Sequence, residues 1–539
     1  MFLQVPNKYI VNRLRNGISL CEEMEWITLF VYSVVLLLLL TYNLGQLSLI
    51  VIYLRARHKR RTNVAMPGSD AWHNLPSVTV QLPVYNERYV VERLIDAVVA
   101  LNYPANKLEI QVLDDSTDDS IELSARKVAL YRAEGVNIKL LRRPERTGFK
   151  AGALAYGLDQ AMGDFVAIFD ADFVPDPDFL LKTVPHFADP KIGIVQTRWT
   201  HLNEDYSLLT QLQAFGLNAH FFIEQGGRNA ADFFMNFNGT AGVWRKAAIY
   251  DAGGWSSDTL TEDLDLSYRA QLKGWKFVYR EDIGSPAELP VAMAALKSQQ
   301  YRWMKGAAEC ARRLMLNVLR APGVPFINKL HAFFHLFSSS TFLLVFVLAV
   351  LSVPVLYIRS THPEWALAYY LINFFQYNLI ILMLFYGIPF WRAHQQKGTG
   401  WSAVRFVGYF LAYSSLMMGL SLHNSIAVIE GYIGRKTPFV RTPKFNVANG
   451  SDSWRANIYV TQGLPWLTFL EGGMVLYFLV GIALGVYLHD YRMLFFHCML
   501  TAGFGMVFVY SLLHTVRQSA GRPKTKPFST DRRAVGVAA

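Results

Sequence analysis

The 539-residue sequence predicts an α/β domain with a mostly parallel sheet, inserted into an α-helical transmembrane bundle. Two observations carry this prediction. Apolar residues are concentrated in long runs free of Asp, Glu, Lys and Arg, each near or above the ~20 residues needed to cross a bilayer. Between the first two runs lies a stretch of ordinary soluble composition, in which short apolar segments alternate with segments of helical spacing. The bulk figures agree: 52% of residues are hydrophobic and 17% charged, against about 25% charged in an average soluble domain. This composition excludes a disordered chain. The three cysteines, Cys21, Cys310 and Cys498, are scattered without CxxC spacing. They exclude a disulfide scaffold and give no readable zinc site, and are taken as free thiols.

The first apolar run, 27–54, is too long for a signal-peptide core and lacks a small-residue cleavage site. With residues 1–61 it is read as an N-terminal segment and first membrane helix. The basic group after it, Arg55, Arg57, Lys59, Arg60 and Arg61, places the adjoining segment in the cytosol. Residues 62–298 are then a cytosolic domain large enough to bury its own core. Strands are expected at 77–82, 108–113, 137–141 and 164–169, with helices at 88–101, 120–133 and 150–161 between them. Such sheets bind ligands beyond the carboxyl ends of their strands. The polar clusters fall at three of those ends: Asn86-Glu87, Asp114-Asp115-Ser116 and Asp170-Ala171-Asp172. Neither a Gly-x-Gly-x-x-Gly nor a Walker lysine motif comes after the first strand, which argues against a dinucleotide enzyme or a P-loop ATPase.

Asp170 and Asp172 at a strand end suit a hard divalent cation, Mg2+ or Mn2+, that also binds diphosphate oxygens. Asp114 and Asp115 sit where a carboxylate accepts hydrogen bonds from a base or ribose, although the same residues read equally well as the acidic start of the next helix. Thr261-Glu262-Asp263, after a Gly-Gly-Trp turn, has the form of a capped helix start. Residues 299–328 read as an amphipathic helix on the membrane surface, with Ala307, Cys310, Leu314 and Val318 at helical spacing. Its beginning, Gln299 to Trp303, would bring Arg302 and Trp303 to the junction of domain and bilayer.

The remaining apolar runs are 331–358, 365–391, 406–429, 472–489 and 493–516, within a transmembrane bundle assigned to 329–516. Basic residues in the loops 392–405 and 435–444 and in the tail 517–539 place all three in the cytosol. Two cytosolic loops cannot flank a single span, so 406–430, which carries Tyr409, Tyr413, His423 and Asn424, is read as interfacial or re-entrant, leaving five spans. The alternative is six spans with 435–460 outside. Much of the net charge of +11 lies beside membrane segments, where it sets orientation and meets anionic lipid. The basic residues form no stripe interleaved with aromatics, so nucleic-acid binding is not expected.

The motifs together resemble a membrane-embedded family 2 glycosyltransferase of the cellulose synthase superfamily, closest to its cellulose synthase-like mannan and glucan synthases. Those carrying the resemblance are Gln81-Leu82-Pro83-Val84-Tyr85-Asn86-Glu87, Val112 to Asp118, Gly148 to Leu154, Phe169 to Phe173, Val195 to Trp199, Phe237-Asn238-Gly239-Thr240-Ala241-Gly242, Thr261-Glu262-Asp263 and the Gln299, Arg302, Trp303 set. The resemblance implies a GT-A type, Rossmann-like fold and a processive, inverting β-glycosyltransferase. Such an enzyme would elongate and secrete a β-linked, 1,4 polysaccharide from a nucleotide sugar, with UDP-glucose favoured and GDP-mannose close behind. It further implies a growing glycan as acceptor, the bilayer as partner, and a bacterial inner membrane. By position, Asp263 would be the general base. Asn86, Glu87, Asp114, Lys150, Asp170 and Arg302 would bind the nucleotide sugar, and Asp170 and Asp172 the metal. Trp303, Gln299, Phe237, Asn238, Gly239 and Glu262 would bind the acceptor. Phe439-Val440-Arg441-Thr442-Pro443-Lys444 is similar to the family's gating loop, with Arg441 in place of a valine, which assigns Phe439, Thr442 and Lys444 to that loop. A non-processive enzyme that adds one sugar to a membrane lipid would share many of these motifs.

Overall fold

The computed structural model describes residues 8–59, 75–366, 369–370, 377–396, 398, 400, 402–437, 440–447, 454, 457–459 and 463–521. The soluble domain is built on a seven-stranded sheet of order β3-β2-β1-β4-β6-β5-β7. Its strands are β1 (Val78–Val84), β2 (Leu108–Asp114), β3 (Ile138–Leu141), β4 (Phe165–Ile168), β5 (Ile192–His201), β6 (Gly242–Arg245) and β7 (Lys276–Ala287). Pairs β1–β2, β2–β3, β1–β4 and β5–β7 are parallel, while β6 runs antiparallel to both neighbours. The expected α/β sheet is present, and its expected elements agree with the observed ones to within a few residues. The sheet has the GT-A-like mixed form, mostly parallel with one reversed strand.

Strands β1 and β2 are buried at nearly every position because helices cover both faces of the sheet, although polar residues alternate along both. Their few polar residues are partnered in register. Thr79 Oγ1 donates to Glu109 Oε2 at 2.7 Å, Gln81 Nε2 to Gln111 Oε1 at 3.1 Å, and Lys139 from β3 reaches Glu109 at 2.8 Å. This register aligns Val84 with Asp114 and Gln81 with Ile168. The carboxyl ends of β1, β2 and β4 therefore open on one edge, where the polar clusters lie.

The helix predicted to begin near Gln299 instead spans Met293–Arg320, so Gln299, Arg302 and Trp303 lie within it rather than at its start. Its buried stripe includes Ala308, Cys310, Ala311, Leu314, Met315 and Val318. Part of this face packs on Ser421–Ile433, where Gly431 permits the close approach: a Cβ there would stand 2.6 Å from the Lys305 carbonyl oxygen. Ala307, expected on the apolar stripe, is only half-buried.

Four described helices are long and apolar enough to cross a bilayer: Glu22–Arg57, Ser340–Thr361, Trp466–Tyr487 and Leu494–Thr515. The pair Ala403–Gly419 and Ser421–Ile433 is bent by 50° and is long enough for one further span when taken together. The bend falls inside the segment read as interfacial, 406–430. The apolar run 365–391 lies partly outside the described residues.

At the bend the chain presses on Leu494–Gly521. A Cβ on Gly503 would overlap the Ser415 carbonyl oxygen, and one on Gly419 would overlap the Gly503 carbonyl, so backbone meets backbone at a small-residue crossing. Gly503→Leu is expected to lower the thermal midpoint of the detergent-solubilised protein by several degrees, since overpacking costs about 1–3 kcal/mol. An unchanged melting curve would show that the crossing tolerates a side chain.

Candidate functional site

At the carboxyl edge of the sheet, a cavity is walled by the end of β1, residues 170–173 after β4, the start of the Glu262–Leu272 helix, the Met293–Arg320 helix, and Arg441, Thr442 and Lys444. Asp170, Asp172, Asp263, Glu262, Lys150, Arg302, Gln299, Trp303, Asn238, Gly239 and Glu87 all line it. Residues separated by more than 200 positions in the sequence are thus brought into one chamber.

The chamber pairs its charges closely. Lys150, on the helix Phe149–Gln160, places Nζ 2.6 Å from Asp170 Oδ1 and donates to the Gly239 carbonyl at 2.9 Å, with Glu262 Oε1 at 3.8 Å. Burial opposes its charge, but Asp170, Glu262 and Asp263 together hold its pKa above the usual lysine value. Asp172 is buried, with Oδ2 2.7 Å from Lys444 Nζ and Oδ1 lacking a hydrogen-bond partner. Asp263 lies in the first turn of its helix and accepts from the adjacent Leu264 N–H at 2.9 Å. Burial, reinforced by Glu262 and opposed by Lys150, pushes its carboxyl up to about 7. Gly239, at φ +79°, lets the acceptor loop pass this carboxylate: a Cβ would stand 2.9 Å from Asp263 Oδ2. Arg302 donates from Nη2 to Thr442 Oγ1 at 2.8 Å. Burial draws its pKa down against Glu262, Asp170, Asp263 and Asp172, which favour the charged form.

Several expected contacts take different forms. Phe237 does not reach the chamber. It is fully buried against Trp244 and is a core residue rather than an acceptor contact, because the backbone turning at Gly239 carries only Asn238 and Gly239 to the surface. Asp114 is also buried: Oδ1 accepts from the Ser116 N–H at 2.8 Å while Oδ2 has no partner. Asp115 lines the cavity in its place and is gripped by the Arg143 guanidinium. Asn86, at φ +56°, joins two loops, donating its N–H to Ser116 Oγ at 2.7 Å and accepting from Thr117 N–H at 2.8 Å. Glu87 is bound by Arg441 at 3.0 Å; burial, despite Arg441 and Lys444, pushes its carboxyl up to about 7.

Arg441, Phe445 and Tyr459 supply contacts that local sequence patterns do not reveal. Arg441 lies over the Tyr459 ring at 3.9 Å, Tyr459 bonds Asp118, and the Phe445 N–H donates to Glu288 at 2.8 Å. With Thr442 on Arg302 and Lys444 on Asp172, residues Arg441, Thr442 and Lys444 form part of the chamber's lining. Phe439 lies outside the described residues. Arg146, also missed, lies over the Tyr85 ring at 3.4 Å and lines the cavity.

Residues 76–306 match the family described as glycosyltransferase like family 2. The chain is 34% identical over 464 residues to glucomannan 4-beta-mannosyltransferase 1 of Oryza sativa subsp. japonica, covering 83% of each chain. It is 44% identical over 306 residues to glucomannan 4-beta-mannosyltransferase 7 of Arabidopsis thaliana, covering 55% of each, so it spans about half the length of that relative. Among solved structures, the mannosyltransferase PcManGT of Pyrobaculum calidifontis in complex with GDP-Man and Mn2+ superposes with a TM-score of 0.47. The identity is 19%, over 66% of this chain and 98% of that one. The two curated relatives come from rice and from Arabidopsis, and they give no support to the expected bacterial inner membrane.

Proposed function

The chain belongs to the family 2 glycosyltransferases of the cellulose synthase-like group, and from that membership we propose that it is a processive, inverting hexosyltransferase elongating a β-1,4-linked polysaccharide at the membrane. The donor is GDP-mannose. This reverses the preference for UDP-glucose drawn from the motifs, because the curated relatives are named as mannosyltransferases. The observation that carries the proposal is the convergence of Asp170, Asp172, Asp263 and Arg302 in one chamber.

In this reading Asp263 removes the proton from an acceptor hydroxyl. The freed oxygen attacks the anomeric carbon from the face opposite the leaving group, and the nucleoside diphosphate departs with the electrons of the broken bond. An α-linked donor gives a β-linked product. Trp303 and Gln299 hold the acceptor sugar, while Lys150 and Arg302 face the charge that develops on the diphosphate.

The donor set suits a divalent cation. Two lysine ammonium groups already rest on Asp170 and Asp172, and one buried Asp172 oxygen is left without a partner. Among the described residues no three His, Cys, Asp or Glu side chains cluster as a complete metal site. This accords with an ion that shares its ligands with diphosphate oxygens and water. Asp170 and Asp172 would hold Mg2+ or Mn2+, which when bound neutralises charge on the departing diphosphate.

The purified protein, incubated with Mn2+ and either labelled GDP-mannose or UDP-glucose, is expected to form a polymer from GDP-mannose that an endo-β-mannanase degrades. A polymer made only from UDP-glucose would overturn the donor assignment. A single-sugar lipid product would overturn processivity.

A further inference from the structure

Behind the acceptor wall, a chain of partly buried polar side chains links Asn238 to the first membrane helix. After Leu208–Ala219 the helix widens into a π-turn, His220–Gln225, a geometry frequent at functional sites. His220 Nδ1 lies 2.7 Å from Glu224 Oε2, and His220 Nε2 lies 3.1 Å from Asn238 Oδ1. Glu224 Oε1 in turn accepts from Gln46 Nε2 at 3.0 Å, and Arg228 lies 3.8 Å from Glu224. Burial raises the Glu224 carboxyl, but Arg228 and His220 outweigh it and hold the pKa down to about 2, so this group is a carboxylate.

The directions of these bonds come from chemistry. Gln225 Nε2 donates to the Asn236 carbonyl at 3.0 Å, and a carbonyl only accepts, which fixes the Gln225 amide. The same NH2 lies 3.2 Å from Asn238 Oδ1, and Asn236 Nδ2 lies 2.8 Å from that oxygen. Two donors therefore fix the Asn238 amide with its oxygen inward, and His220 Nε2 must donate to it. Nδ1 faces the Glu224 carboxylate, so the ring is held from both sides, between Glu224 and Asn238. The remaining group, Asn238 Nδ2, is buried without a hydrogen-bond partner among the described residues, on a side chain that lines the chamber next to Gly239 and Asp263.

We propose that His220 is a positioning residue which, together with Gln225 and Asn236, turns the Asn238 amide so that its NH2 donates to an oxygen of the acceptor sugar beside Asp263. The proposal rests on the glycosyltransferase reading for the identity of the acceptor, and it makes Asn238 a specificity contact for that sugar. Asn238→Asp keeps an acceptor for all three inward donors and replaces the NH2 with an oxygen that cannot donate when ionised, adding a negative charge that the parallel GDP measurement controls for. His220→Phe keeps the ring and removes both of its hydrogen bonds.

The test is direct binding of a β-1,4-linked mannohexaose to the full-length protein in nanodiscs, monitored by tryptophan fluorescence, with GDP binding measured in parallel. Both variants are expected to weaken oligosaccharide binding about tenfold, the equivalent of one lost hydrogen bond, and to leave GDP affinity within about threefold. An unchanged oligosaccharide affinity in either variant, or equal losses for oligosaccharide and GDP in both, would overturn the assignment. Wild-type protein that binds the oligosaccharide but transfers no hexose would overturn the glycosyltransferase reading alone, and the variant comparison would still decide the role of His220.

Discussion

Asp263→Asn is expected to bind the nucleotide sugar within a few-fold of the unaltered protein while its turnover falls by about 10²–10⁴, the usual contribution of a positioned general base. Asparagine preserves the size of the side chain and can still accept the Leu264 N–H. What it loses is the ability to take a proton. The buried carboxyl, pushed up to about 7 by burial and by Glu262, is matched to a base working near neutral pH. Because the base acts in its ionised form, kcat/KM of the unaltered protein should fall as pH drops below about 7, tenfold per unit at the acid limit. An exposed aspartate would place that limb near ~4. Glu87 is also raised to about 7, but its partner is Arg441 at the chamber mouth. Glu87→Gln should therefore leave the acid limb in place, whereas residual activity in Asp263→Asn should lack it. Steady-state assays with labelled donor from mildly acidic to mildly alkaline pH check both. Turnover by Asp263→Asn above about a tenth of the unaltered rate would remove Asp263 from this role.

The parts of this site legible in the sequence are those written in local patterns. Alternating strands and helices fix where carboxyl ends must lie, and Asp170 and Asp172 announce themselves by coming directly after the apolar segment Phe165-Val166-Ala167-Ile168-Phe169. Asn238 and Gly239 stand out because a close backbone approach needs glycine. Partnerships across the chain are not legible. Lys444 meets Asp172 across 272 positions, and Arg441 meets Glu87 across an even longer interval, so no periodicity connects them. The reversed strand β6 is only four residues long and carries no alternation that distinguishes it from a parallel strand. Phe237 and Asp114 belong to motifs that reach the chamber, but a motif names a stretch of chain and not the direction of each side chain. Within Phe237-Asn238-Gly239, one residue packs on Trp244 while the next two face the cavity. The relay through His220 has no motif of its own, and only the three-dimensional arrangement of donors and acceptors gives it meaning.

Arg302→Met is expected to lower turnover by about 10²–10³, the scale for removing one preorganised donor from a developing anion. The reason lies in how the chamber's cations are mounted. Arg441, Thr442 and Lys444 belong to a stretch without regular secondary structure, whereas Arg302 projects from a 28-residue helix that packs against Ser421–Ile433. Glu262, Asp170, Asp263 and Asp172 favour its charged form although burial draws its pKa down, so it is a positive centre among carboxylates, already in place when the diphosphate arrives. Methionine matches the length of the stem but cannot donate, and leaves Lys150 as the other helix-borne cation in contact with Asp170. Repulsion between the carboxylates and the diphosphate should then weaken donor binding as well, unlike in Asp263→Asn. Arg302→Lys restores the charge but not the planar fork of donors, and should recover only part of the loss. Comparison of the three variants by donor affinity and single-turnover rate separates the two roles: Asp263→Asn affects the rate alone, Arg302→Met affects both. Full turnover in Arg302→Met would mean that Lys150 and a bound cation suffice to stabilise the leaving diphosphate.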